Sequence, residues 1–234
     1  MKNASQCADN LASILKDAKT DEPPPAPDND DPIHMLVYSF LLWETTAKRA
    51  NTAYESIINN IVDCNDLRMH LPHEIVEMLG SRYPKAEERA ERMRATLRDI
   101  FVREHDVNLN RLTDQPKRDI RKYLDSLDGM VPFVAARVLL LAFGGHAIPV
   151  DDQLRSALIK AGAADESADI EELTSWLERQ IKASDAVNGH ATLQTWVEQQ
   201  PASRKSTRKT GGRKTTGKKK PTSSSRKKST AKRS

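Results

Sequence analysis

The 234 residues contain only two cysteines, Cys7 and Cys64. Two thiols cannot build a disulfide framework, nor a four-cysteine iron–sulfur site within one chain. The low count fits a reducing compartment. No apolar run is long enough for a secretory leader or a bilayer crossing. The expected location is therefore the cytoplasm, on the nucleoid if the source is bacterial, with no membrane partner. Strand signals are scarce as well, so a sheet-built domain is not expected. Acid is missing from one region: residues 201–234 hold fourteen Lys and Arg and no Asp or Glu.

That last absence reorganises the charge. The overall balance of +4 combines a tail of +14 with a body of 23 basic and 33 acidic residues, net −10. A polycation free of acid and of large apolar groups cannot offset the entropy of folding and is expected to be disordered. It is also expected to bind a polyanion, of which DNA, as a duplex, is the abundant example. The candidate contacts are Lys205, Arg208, Lys209, Arg213, Lys214, Lys218, Lys219, Lys220, Arg226, Lys227 and Lys228.

Four segments follow from composition. Residues 1–19 read as an amphipathic helix with Leu11, Ile14 and Leu15 on one side. Residues 20–31 are acidic and proline-rich and read as an extended linker. Residues 32–200 carry helical periodicity and form the expected domain, and 201–234 are the basic tail. Within the domain, 33–43 is almost continuously apolar and too short to span a membrane, which predicts a buried helix. Helices are further predicted over 46–62, 72–79 (opened by Pro72), 84–103, 114–127, 131–143, 151–161, 170–181 and 191–199. The expected fold class is all-α. The arginines from Arg89 to Arg103 alternate with acids, so a solvated helix face is expected there.

Several local patterns carry chemistry. Asp31-Pro32-Ile33 opens the first apolar helix, and Gly80-Ser81-Arg82-Tyr83-Pro84-Lys85-Ala86 precedes a long charged one. Leu124 to Phe143 reads as two helices joined by a tight Asp128-Gly129-Met130-Val131-Pro132 turn, followed after 22 positions from Gly129 by Ile148-Pro149-Val150-Asp151. In order and spacing these resemble the endonuclease III class of helix-hairpin-helix DNA glycosylases. The resemblance implies a two-lobed all-α fold in which a flipped base is held between the lobes. It places Asp151 at the position of the carboxylate that stabilises developing charge on the sugar. It also makes Gly129, Met130 and Val131 the hairpin's DNA contact.

The departures from that family bear on chemistry. Phe133 stands where bifunctional members carry a lysine nucleophile, so lyase action by that route is not expected. Val131 replaces the hairpin's second glycine, Pro132 lacks an N–H, and Asp128 adds a negative charge where a phosphate would lie. Glu44, next to Trp43, stands where the family has a polar amide. Asp151 also sits where aspartate is a favoured helix cap, so capping and catalysis are both open. His70, His73 and Glu74 have a loose metal-like spacing better read as a helix start with exposed imidazoles, and no metal or cofactor is expected. Two functions compete: a monofunctional DNA glycosylase acting on damaged or mismatched bases, and an inert DNA-binding scaffold whose affinity lies in the tail. The oligomeric state is left open.

Overall fold

The computed structural model describes residues 3–80 and 82–200, so the candidate contacts in the basic tail lie outside the described residues. Eleven α-helices and two short 3₁₀ turns, with no strand, make up the described secondary structure. Helix α2 (Pro32–Leu42) is the centre. Asp31 caps it, its carboxylate accepting the Ile33 N–H at 2.8 Å, and Pro32 takes the first turn, where its missing N–H costs nothing. Every residue of α2 except Pro32 and His34 is buried. An apolar side chain contributes about 1.5–3 kcal/mol when fully buried, which explains why this stretch has no polar face.

Helices α3 (Ala47–Ile58), α4 (Cys64–Met69), α5 (Pro72–Leu79) and α6 (Ala86–Glu104) form one lobe, with α4 and α5 packed on α6 and α2 packed on both α3 and α6. Helix α4 was not expected from periodicity. It is six residues long and starts on Asp63, whose carboxylate accepts the Asp66 N–H at 2.7 Å, a capping signal without an amphipathic run behind it. The helix predicted over 46–62 ends at Ile58 for the same reason, the chain turning there to start α4.

Helices α7 (Lys117–Asp125) and α8 (Pro132–Leu141) are the hairpin pair, and α8 packs directly on α2. The second lobe consists of α9 (Asp152–Lys160), α10 (Ile170–Gln180) and α11 (Ala186–Gln199), with α1 (Ala4–Asp17) laid on α11. Cys7 and Leu11 of α1 are buried in the common core, and the Asn10 amide donates to the Gly162 carbonyl at 2.8 Å. Between α1 and α2 the chain is extended but held: Pro24 is buried, and the Pro25 carbonyl accepts a hydrogen bond from the Arg137 guanidinium.

Arg137, fully buried on α8, also donates to Ser39 Oγ at 3.0 Å and lies over the Tyr38 ring. Burial lowers its pKa to about 10. Nearby His190 is buried too, and burial, reinforced by the Arg137 charge, holds its pKa well below the usual imidazole value. His190 is accordingly neutral at pH 7.

Candidate active site

The two lobes leave a cleft of about 210 Å³ whose walls come from five chain segments. Trp43 and Glu44 follow α2, Lys85 and Arg92 belong to the start of α6, and Met130 to Phe133 form the hairpin turn and the start of α8. Val150, Asp151 and Asp152 lead into α9, and Ile170 opens α10. A larger, open groove of about 380 Å³ lies between α1 and the ends of α9 and α11, but Asp17 is its only titratable residue. The chemistry is in the smaller cleft.

Asp151 caps α9. One carboxylate oxygen accepts the Leu154 N–H at 2.9 Å, and the other accepts the Glu44 N–H at 2.9 Å. The first bond answers the helix's need for an N-terminal acceptor. The second reaches across 107 positions and ties the loop after α2 to the start of α9. Burial raises the Asp151 pKa above the usual carboxylate range, opposed by the Leu154 and Glu44 N–H bonds and assisted by the Glu44 charge. The backbone N–H groups of Leu154 and Glu44, with that of Gln153, act on this carboxylate, which leaves part of the roughly four lone-pair sites of its ionised form for a water.

Glu44 is held in the left-handed region, at φ 51°, which turns its N–H toward Asp151 and its side chain toward Lys85. The Lys85 ammonium donates to Glu44 Oε1 at 2.8 Å and lies 4.4 Å from the centre of the Trp43 ring. Lys85 is also left-handed, at φ 51°. The anion at position 44 is thus paired rather than projected.

The loop carrying Trp43 and Glu44 is fixed by donors to the carbonyls at the end of α2. A helix end leaves its last carbonyls without partners inside the helix. Here the Arg89 guanidinium takes the Phe40 carbonyl, and also the Trp43 carbonyl at 2.7 Å. The Tyr83 hydroxyl donates to Leu41 O at 2.7 Å, and the Thr45 N–H to Leu42 O at 3.0 Å. Arg89 was expected on a solvated face; it is fully buried. Its role depends on carbonyls 46 and 49 positions away, which the alternation of charges along α6 does not reveal.

The hairpin sits differently from a free phosphate clamp. Gly129, at φ 72°, packs on α6: a Cβ there would come within 2.5 Å of the Arg92 carbonyl oxygen. Thr96 Oγ1 donates to Asp128 O at 2.8 Å, and the Asp128 N–H donates to Asp99 at 2.9 Å. The Met130 N–H is used within the turn, on Leu127 O at 3.2 Å. Gly129 therefore has a packing reason to be glycine, while Met130 and Val131 line the cleft. Phe133 is buried with an edge on the cleft.

The cleft thus joins Asp151, Met130, Val131 and Phe133, which the sequence singled out, to Lys85, Arg92 and Trp43, to which no site role was assigned. The Gly80-to-Ala86 pattern carried a signal for Lys85. His146 is not in the cleft; its Nε2 is 3.0 Å from the Ile181 carbonyl. His73 is exposed, and Glu74 accepts the Leu71 N–H at 2.6 Å. Among the described residues no three His, Cys, Asp or Glu side chains are grouped to hold a metal, and no helix is long and apolar enough to cross a membrane.

No family model matches the sequence, and no curated protein sequence matches it. Solved structures do. The 3-methyladenine DNA glycosylase MagIII of H. pylori, bound to 1,N6-ethenoadenine, is similar with a TM-score of 0.63 at 15% identity, over 83% of this chain and 98% of that one. A thermostable thymine-DNA glycosylase gives 0.61 at 20% identity, over 86% and 90%. Endonuclease III in a trapped covalent intermediate with DNA gives 0.61 at 18% identity, over 82% and 85%. The chain has the all-α fold of the helix-hairpin-helix DNA glycosylases.

Proposed function

We propose that this protein is a DNA-binding protein of the base-excision type, which releases a damaged or mismatched base by hydrolysis of its glycosidic bond. The observation that carries the reading is Asp151, a buried carboxylate of raised pKa, oriented by two N–H groups at the wall of an interlobe cleft. The similar structures supply its context, one of them bound to a modified base and another linked to DNA.

Each part of the cleft has a physical task in this mechanism. A nucleotide turned out of the duplex enters between Trp43 and Phe133 and the lobes beside them. As the glycosidic bond lengthens, positive charge develops on the sugar. An ionised Asp151, poorly hydrated and held in place, stabilises that charge more than the neutral ground state. Its remaining lone pairs orient a water for attack at the sugar carbon. Phe133 contributes surface and no nucleophile. The cations of the tail supply affinity for the backbone independent of sequence.

A second reading is favoured by the hairpin. Pro132 has no N–H, and the Met130 N–H is spent within the turn. Asp128, meanwhile, carries an anion beside the turn. These features favour a scaffold that keeps the fold and binds DNA through the tail alone. Single-turnover base release separates the two. The full chain is assayed against duplexes holding deaminated, oxidised, alkylated or mismatched bases, with alkali revealing abasic sites. Release abolished by Asp151→Asn is expected; no release from any substrate by a folded protein supports the scaffold instead.

A further inference from the structure

The loop between α2 and α3 carries the residue that touches Asp151, and its α3 end is anchored from far along the chain. A helix opens with backbone N–H groups that find no partner inside it, and a threonine at the cap ordinarily supplies an acceptor from its own hydroxyl. Thr46 occupies that position at the start of α3 and makes no such bond. Thr45 Oγ1, just before it, is buried without a partner among the described residues. The acceptor comes instead from α11: Glu198 Oε1 takes the Ala47 N–H at 2.8 Å, across 151 positions. Gln194, one turn earlier on α11, donates to the same oxygen at 2.7 Å and orients it. A carboxylate also suits the positive end of a helix.

That bond bears on the cleft through the loop. The Trp43 carbonyl is held by Arg89, the Thr45 N–H by Leu42 O and the Ala47 N–H by Glu198. Between these anchors Glu44 is left-handed, at φ 51°, a conformation that a residue with a side chain keeps only while its surroundings fix it. Released, Glu44 relaxes toward the ordinary region, and its N–H turns away from Asp151 Oδ2, which it meets at 2.9 Å. The other bond to Asp151, from Leu154, is made within the first turn of α9 and survives the change. We propose that Glu198 is a positioning residue for Asp151, holding the Glu44 N–H on its carboxylate by capping α3. Its bearing on base release rests on the reading of Asp151 as the charge-stabilising group.

The rival role is a staple that fastens α11 to α3 and contributes stability alone. Two variants of the full chain separate the roles. Glu198→Ala removes the acceptor and leaves the best helix former in α11. Glu198→Gln removes the charge and keeps an acceptor oxygen. Amide hydrogen exchange followed by NMR reports on the Glu44 N–H, with buried Leu139 of α8 as the reference for general loosening. Carbon-13 NMR of labelled aspartate carboxyls, assigned with Asp151→Asn, follows the titration of Asp151.

The direction of the titration shift is diagnostic. The Glu44 N–H bond lowers the Asp151 pKa against the larger effect of burial, so losing it moves the midpoint up. Loss of a negative charge at position 198 acts in the opposite sense. The other charges facing Asp151 are those of Glu44 and Arg89, with Lys85, Arg92 and Asp152 in the cleft, and both variants retain them.

In Glu198→Ala, exchange at Glu44 is expected to quicken by roughly tenfold beyond any change at Leu139, the factor for one hydrogen bond. The Asp151 midpoint should move to higher pH, while Glu198→Gln stays near the parent in both. Parental values at Glu44 and Asp151 in Glu198→Ala overturn the proposal. So does equal quickening at Leu139, or equal changes in Glu198→Gln, which would assign the effect to the charge rather than the bond.

Neither readout needs catalysis, so the outcome is independent of base release. Base release by the parent with Asp151 unmoved in Glu198→Ala rejects this inference and leaves the hydrolytic reading standing. A moved Asp151 in a protein that releases no base supports the inference and rejects the hydrolysis. Where both hold, Glu198→Ala lowers kcat with little change in KM.

Discussion

Replacing Arg89 with methionine tests the account of how the Trp43–Glu44 loop is held. The side chain is fully buried, and its guanidinium donates to Phe40 O, to Trp43 O at 2.7 Å and to Pro84 O at 3.1 Å. Methionine fills similar space but leaves the carbonyls of Phe40 and Trp43 unpaired beside buried residues. Each stranded acceptor costs about 1–3 kcal/mol. The Pro84 carbonyl is nearer the surface and can turn to water. Against this, the variant no longer carries a desolvated cation, a cost visible in the lowering of the Arg89 pKa by burial. The net loss is expected to fall at about 3–5 kcal/mol, the cost of the two stranded carbonyls less the desolvation that is relieved. For a domain of this size that corresponds to a fall in Tm of roughly 6–20 °C. Urea unfolding followed by near-ultraviolet dichroism measures the change, and Arg89→Lys, which reaches fewer acceptors, is expected to lose less. A methionine variant within about 1 kcal/mol of the parent would refute the capping role.

Gly129→Ala combines a left-handed backbone with an approach of 2.5 Å to the Arg92 carbonyl; adding a left-handed penalty to overpacking gives a destabilisation of about 2–5 kcal/mol in the same assay. His190 is neutral when folded, with a pKa below that of the unfolded chain. Its contribution to stability is therefore complete above the unfolded value of 6.5 and falls as the pH drops below it. The urea midpoint should decline from pH 7 to 5, and His190→Leu should shrink that decline. Base release requires ionised Asp151, whose pKa is raised by burial, so the acidic limb of the pH–rate profile should lie above the ordinary carboxylate range of about 4. An acidic limb at or below that value would remove Asp151 from the chemistry. Deleting 201–234 should flatten the salt dependence of DNA binding by about 0.9 in log–log slope for each phosphate that the tail had neutralised, and an unchanged slope would locate the affinity elsewhere.

The sequence made some of these features readable and hid others for physical reasons. Helix α2 was legible because eleven residues with almost no polar member have few ways to avoid water. Its start was legible because Asp31 and Pro32 are local signals. Asp151 was legible as a cap, since the Leu154 N–H it accepts is three residues away. Its second bond, from Glu44, was not, because it depends on two loops meeting in space. Arg89 and Lys85 show the same limit. Each occurs in a run of mixed charge on α6 or at its start, where local pattern favours solvent. One is buried by carbonyls of α2 and the other is turned inward by Glu44. Gly129 was marked by its place in the hairpin, but the neighbour that makes glycine necessary is the backbone of α6.

The seating of α1 has a consequence for how the chain is made. Asn10 reaches a carbonyl 152 positions ahead, the Pro25 carbonyl meets a guanidinium 112 positions ahead, and α1 lies on α11. Contacts so distant along the chain slow folding, because their loop entropy is lost before they form. During synthesis α1 must wait for nearly all of the described chain, with Cys7 and Leu11 exposed until α11 emerges.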